Sequence, residues 1–171
     1  MRVRGLVFVP VVLSLLTGCA GKREETEAQR AGEGRPVTLR FHLASTEEVE
    51  GWGQMLDERG FPLFVAPWPL LTERHVSRAA VLSSETRHMV RVELTPNGQG
   101  ILGRATRENL GRRLAIFIDG VLALSPTIRS EISGGVAMIN GDFTAERARA
   151  IADGLNLRRS AEPTRLDLQS P

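Results

Sequence analysis

The stretch "AIFIDGVLALSP", Ala115–Pro126, carries a single carboxylate, Asp119, at the centre of two apolar runs. Leu114 to Ile118 and Val121 to Leu124 are each of strand length, and Asp119-Gly120 joins them. An Asp-Gly pair between two such runs is a strong signal for a tight hairpin, because both residues tolerate the positive φ that a two-residue turn demands. Asp119 is therefore expected to turn the chain. A catalytic carboxylate would need an acid, base or metal partner, and the neighbouring sequence supplies none.

Working outward, "VTLRFHL" alternates strictly, with Val37, Leu39, Phe41 and Leu43 on one side and Thr38, Arg40 and His42 on the other. That period of two predicts a half-buried strand. Ser45 with Glu48 forms a capping-box pattern, which predicts a short helical turn. "FPLFVAPWPL" is apolar but interrupted by Pro62, Pro67 and Pro69, so it suits an edge or crossing segment. Trp52 and Trp68 flank it and are expected to cover the core. A strand pair follows, near Arg78–Ser84 and His88–Leu94, with Val90, Val92 and Leu94 alternating against Met89, Arg91 and Glu93.

Thr95 then caps a helix with Pro96 in its first position, where a missing N–H costs nothing. Ile101, Leu102 and Ala105 share a face of that helix, while Gly98, Gly100 and Gly103 each weaken it by up to about 1 kcal/mol. Past the hairpin, a short strand over Val136–Ile139 is expected between two turn formers, Gly134-Gly135 and Asn140-Gly141. Thr144 caps a last helix whose Ala148, Ile151, Ala152 and Leu155 face inward and whose Glu146, Arg147, Arg149 and Asp153 face water. The pattern predicts an α+β fold: a single two-layer domain with a small mixed or antiparallel sheet and two to three packed helices.

The two ends read differently. "MRVRGLVFVPVVLSLLTGCA" has a basic start, an apolar run from Gly5 to Leu16 that is too short to span a bilayer, and small residues before Cys19. It reads as a secretory signal over residues 1–18. A flexible tether over 19–36 follows, since "GKREETEAQRAGEGR" has no large apolar side chain with which to offset the entropy of ordering it. The folded unit is expected over 37–157 and a disordered tail over 158–171.

Charge and chemistry narrow the function. The chain holds 22 basic and 20 acidic residues, and loss of Arg2 and Arg4 with the signal leaves the two balanced. Without a basic surplus, a sequence-independent grip on nucleic acid is not expected. Cys19 is the only cysteine, so no internal disulfide can form. His42, His75 and His88 lie in different elements without metal-ligand spacing. Ser133-Gly134-Gly135 sits where a turn is already needed, no G-x-S-x-G elbow occurs, and Lys22, the only lysine, lies in the tether rather than in a phosphate loop. These residues predict a non-enzymatic module without metal, cofactor or small-molecule substrate.

Two resemblances add to this reading. Leu16-Thr17-Gly18-Cys19 resembles the lipobox of bacterial lipoproteins, which implies diacylglyceryl attachment at Cys19, cleavage before it and acylation of the new amine. Ala20 follows, and the choice between inner and outer membrane stays open. The body of the chain resembles the head subdomain of the first periplasmic domain of SecD, a membrane subunit of the bacterial protein-export machinery. The resemblance rests on Leu114-Ala115-Ile116, Asp119-Gly120, Ser125-Pro126 and Ile128, then Ile132, Gly134-Gly135, Ala137, Ile139, Gly141, Phe143-Thr144, Glu146 and Ala148. Upstream, Thr95, Gly98, Thr106, Glu108-Asn109 and Gly111 match as well. It implies a polypeptide-binding module at the outer face of the membrane, with translocon components or exported chains as partners. The proton-coupled part of that family is not implied, because neither its base nor its transmembrane helices are seen. The alternative is an envelope structural or interaction lipoprotein that reuses the head fold without an export role.

Overall fold

The computed structural model describes residues 34–84 and 87–160. The signal sequence, Cys19 and the tether up to residue 33 lie outside the described residues, as does the tail from residue 161. Among the described residues nine strands, two helices and a 3₁₀ turn follow one another: β1 (Leu39–Ser45), β2 (Gly53–Leu56), β3 (Pro62–Val65), β4 (Leu71–Thr72), the 3₁₀ turn (Glu73–His75), β5 (Val76–Ser83), β6 (His88–Leu94), α1 (Pro96–Glu108), β7 (Arg113–Ile118), β8 (Val121–Leu124), β9 (Val136–Phe143) and α2 (Ala145–Ser160). The α+β class and the two capped helices are as expected. The strands divide between two antiparallel sheets, one in the order β2-β3-β1-β7-β8 with β4 also on β1, the other β5-β6-β9.

One core joins these layers. Leu39 and Phe41 of β1, Leu114, Ile116 and Ile118 of β7, Val90 and Val92 of β6, Leu102 of α1 and Ala148, Ile151, Ala152 and Leu155 of α2 all bury within it. The inward face of α2 is the one its 3.6-residue period marks out, and each fully buried Leu or Ile there contributes about 1.5–3 kcal/mol. A smaller cluster of Ala44, Leu63, Val65 and Ala115 lies on the opposite face of the larger sheet, with Met55, Phe117 and Leu122 against it.

Four expectations are corrected. Ser45 ends β1, and its hydroxyl accepts the Glu47 N–H at 3.0 Å, a local turn that replaces the expected helical one with Glu48. β3 is interior to its sheet because Pro62 stands first in the strand while Pro67 and Pro69 lie beyond its end, so no ladder donor is lost. Trp68 does not cover the core; it is 81% exposed in the Pro67-Trp68-Pro69 loop, while Trp52 is half-buried under the Arg112 guanidinium, 5.4 Å from its ring. Finally, Asn140-Gly141 is no turn. β9 runs through it to Phe143, and the extra residues are absorbed as a register shift against β6 between the pairs Val90↔Ile139 and His88↔Phe143. The ring of Phe143 lies directly over the Gly141 Cα, so a side chain there would collide with it. The last helix continues to Ser160, past the residue 157 at which the sequence pattern weakens.

Candidate functional site

Asp119 turns the chain as its sequence predicts, with φ 51° and Gly120 at 79°. It also does more. Its carboxylate accepts the Thr38 N–H at 3.0 Å and pairs with Arg35 at 3.1 Å, and Arg147 of α2 approaches to 3.7 Å. Burial alone would raise the Asp119 pKa, but the Thr38 N–H and the two arginines together hold it below the ordinary carboxylate value. These contacts tie the hairpin, the entry to β1 and the start of α2 together; no substrate-facing role follows from them.

The three histidines stay apart. His42 on β1 pairs through Nδ1 with the Ala66 carbonyl at 2.8 Å and stacks edge-on against Phe117. His75 accepts the Thr72 N–H at 3.1 Å, and His88, in the other sheet, meets the Ser83 hydroxyl at 2.9 Å. Among the described residues no group of three His, Cys, Asp or Glu side chains converges.

A partly buried polar knot, missed from sequence, lies where the β2–β3 turn meets the β7–β8 hairpin. Arg113 donates to the Ser125 carbonyl and, at 2.8 Å, to its hydroxyl. That hydroxyl donates to Glu58 at 2.6 Å, and Asp57 lies 3.6 Å from the same guanidinium. Asp57 also accepts the N–H groups of Arg59 and Phe61 at 2.9 Å each, which fixes the turn. The partners are far apart in sequence, and no local pattern relates them.

Open surface of another kind is present on the smaller sheet. Its outer face carries Ala80 and Leu82 of β5, Met89 of β6 and Met138 of β9 beside the Arg91–Glu93 ion pair; Leu82 and Met138 are exposed. β5 is an edge strand, bordered by α2 through Asn156. A shallow polar cleft of about 340 Å³ lies between α1 and residues 131–133, where Arg107 faces Glu131 at 3.6 Å. Arg129 is exposed, and Ser133-Gly134-Gly135 serves the turn before β9, with Gly135 at φ 67°.

Such a molecule is a small antiparallel α+β module with exposed apolar residues and an edge strand on its smaller sheet. Residues 43–161 match the family described as SecDF, P1 head subdomain, and the chain belongs to that family. The protein translocase subunit SecD of Rickettsia bellii is 33% identical over 146 residues, 79% of this chain and 28% of that protein. For SecD of Magnetococcus marinus the identity is 34% over 144 residues, 84% of this chain and 26% of the relative. The chain thus spans little more than a quarter of the length of these two relatives, and a smaller share, 13%, of the SecDF of Thermus thermophilus. Among solved structures, that of a membrane component SecDF that enhances protein export superposes with a TM-score of 0.58 at 25% identity, covering 82% of this chain and 70% of that one. SecDF in a super-membrane-facing form gives 0.60 at 25% identity over 78% of this chain and 20% of that one.

Proposed function

We propose that this chain is a membrane-tethered accessory of protein export, a non-catalytic module that meets polypeptide at the outer face of the membrane. Membership of the SecDF P1 head family is the observation that carries the reading. Among the described residues no helix is long and apolar enough to cross a membrane, and the lipobox-like N-terminal sequence is what supports attachment. Cleavage after residue 18 and lipidation of Cys19 would supply it, with residues 19–36 as the spacer. Two or three acyl chains, at about 0.8 kcal/mol per buried methylene, hold a protein stably where one would not. The domain then faces the periplasm or cell exterior, with translocon subunits or exported chains as partners.

In-cell photocrosslinking from Arg129 and Arg147 tests this, with the captured proteins identified by mass spectrometry. Capture of Sec subunits or of many different exported chains is expected. Reproducible capture of one envelope protein alone would overturn the export reading and favour an envelope lipoprotein that reuses the fold. Intact mass of the mature chain tests the anchor, and an unmodified Cys19 thiol would remove it.

A further inference from the structure

β5, "VSRAAVLS", pairs antiparallel with β6, and just past its end the Ser84 N–H donates to the Arg87 carbonyl at 2.8 Å. That bond sets the parity of the pair. Arg78, Ala80 and Leu82 lie in the same phase as Ser84 and direct their backbone groups at β6, while Ala79, Val81 and Ser83 direct theirs away. At Ala79 both outward groups are taken by one side chain of α2: the Ala79 N–H donates to Asn156 Oδ1 at 2.9 Å, and Asn156 Nδ2 donates to the Ala79 carbonyl at 2.9 Å. A carboxamide offers the same donor and acceptor pair as a peptide unit. Asn156 is therefore a one-residue stub of a neighbouring strand, and it shows that this edge accepts backbone-like pairing.

Beyond the stub, no described residue meets the outward N–H and C=O groups of Val81 and Ser83. Exposed strand edges are ordinarily blunted by proline, lysine, an inward charge or a covering element. Among the described residues none of these occurs between Ala79 and Ser83; instead Leu82 stands 40% exposed on the sheet face. Arg78 and Arg87 are exposed at the two ends of this gap, and neither has an acidic partner among the described residues.

Resting on the export reading, we propose that this edge, from Val81 to Ser83, is where an extended exported polypeptide adds as a short antiparallel or parallel strand. Its apolar residue lies beside Leu82 and its acidic residue toward Arg78 or Arg87. Two outward residues offer four backbone hydrogen bonds, and so short a pairing gives weak, rapidly released binding that reads little side-chain sequence. Charge argues against a second copy of the chain on this edge, because antiparallel pairing of two such strands brings Arg78 of each toward Arg87 of the other.

The probe is a fluorescently labelled synthetic peptide, Asp-Val-Thr-Val-Thr-Val-Asp, titrated by anisotropy into the full chain in detergent. Val81→Pro removes one outward N–H and leaves the ladder to β6 intact, and it is expected to weaken binding at least 10-fold. Leu82→Asp, which keeps the backbone and sets a like charge against the peptide's aspartates, is expected to weaken it as well. Asn156→Ala vacates Ala79 and is expected to strengthen binding several-fold, an outcome that a merely structural role for Asn156 would not produce. Arg104→Ala, exposed on α1, is the unchanged control. Equal affinity for wild type, Val81→Pro and Leu82→Asp overturns the proposal. So does a dimer of the wild type that Val81→Pro dissolves, or an affinity gained only on deleting residues 161–171, since these assign the edge to a second copy or to the chain's own end. If exported chains are still crosslinked from Arg129 in Val81→Pro at undiminished yield, the edge assignment fails and the export reading stands. If the peptide binds in a Val81-dependent way but no exported chain is captured, the edge stands and the export reading fails.

Discussion

Asp119 and Thr38 hold each other reciprocally: the Thr38 N–H donates to the Asp119 carboxylate at 3.0 Å, and the Asp119 N–H donates to the Thr38 carbonyl at 3.0 Å. The turn residue of one hairpin thereby fixes where β1 begins. Asp119→Ala is expected to cost about 2–3 kcal/mol, from a charge-assisted hydrogen bond and from alanine held at positive φ. Asp119→Asn retains an acceptor and tolerates the turn, so it is expected to cost less. Urea unfolding of the two variants checks the order.

Acid should loosen the molecule in a defined window. The Asp57 pKa is held below the ordinary 3.8 first by the Phe61 N–H, against desolvation, with help from the Arg59 N–H and from Arg113. Desolvation raises that of Glu58, but the Ser125 hydroxyl, backbone N–H groups and Arg113 bring it below its ordinary 4.5. Asp119 is lowered too. A carboxylate whose folded pKa is depressed adds stability that is complete above its unfolded pKa and lost as pH falls through the folded one. Stability from these three groups is thus constant at neutral pH and falls below about pH 4. The measurement is thermal unfolding against pH, in which Asp57→Asn should flatten the acid limb.

Two glycines of α1 should respond to alanine with opposite signs. A Cβ on Gly98 would stand 2.9 Å from His75 Cβ and 3.0 Å from the His75 carbonyl, backbone that cannot yield cheaply. Gly100 has nothing within 4 Å. Gly100→Ala is expected to stabilise by up to about 1 kcal/mol through helix propensity, and Gly98→Ala to destabilise despite the same gain. Differential scanning calorimetry of the pair decides this, and equal shifts would contradict it.

Thr106 is wholly buried, donates its hydroxyl proton to the Leu102 carbonyl at 2.7 Å and accepts the Ile132 N–H at 2.9 Å. Thr106→Val preserves the shape and leaves that N–H without its acceptor, a cost of about 1–3 kcal/mol. Thr106→Ser keeps the hydrogen bonds and loses one methyl group. Faster amide exchange at Ile132 in the valine variant alone would show that the loss is local to this bond.

At Gly154 helix propensity again gives the wrong sign. A Cβ there would come within 2.5 Å of the Arg35 carbonyl and of the Val37 side chain, so Gly154→Ala is expected to dislodge the entry to β1 from α2 and to lower the melting temperature.

Local chemistry determined much of this protein before any fold was known. The alternation of Val37 to Leu43, the Thr95-Pro96 and Thr144 helix starts, the inward face of α2 and the Asp119-Gly120 turn each follow from residues within a few positions of one another. The order of Gly134-Gly135 to Phe143-Thr144 behind that hairpin carried the family as well. Tertiary structure alone decided what those elements meet. Asn140-Gly141 carries the local signature of a turn, yet the ladder to β6 holds it extended as a bulge. Trp68 has the composition of a core residue, yet the prolines on either side turn it out to solvent. Asn156 sits one residue past the apolar Leu155, and nothing near it in sequence says that its carboxamide will find Ala79. Arg113 gathers Asp57, Glu58 and Ser125 from separate segments. Periodicity and capping depend on neighbours along the chain, whereas edges, clamps and buried polar contacts depend on which distant backbone groups are left unpaired once the sheets have formed.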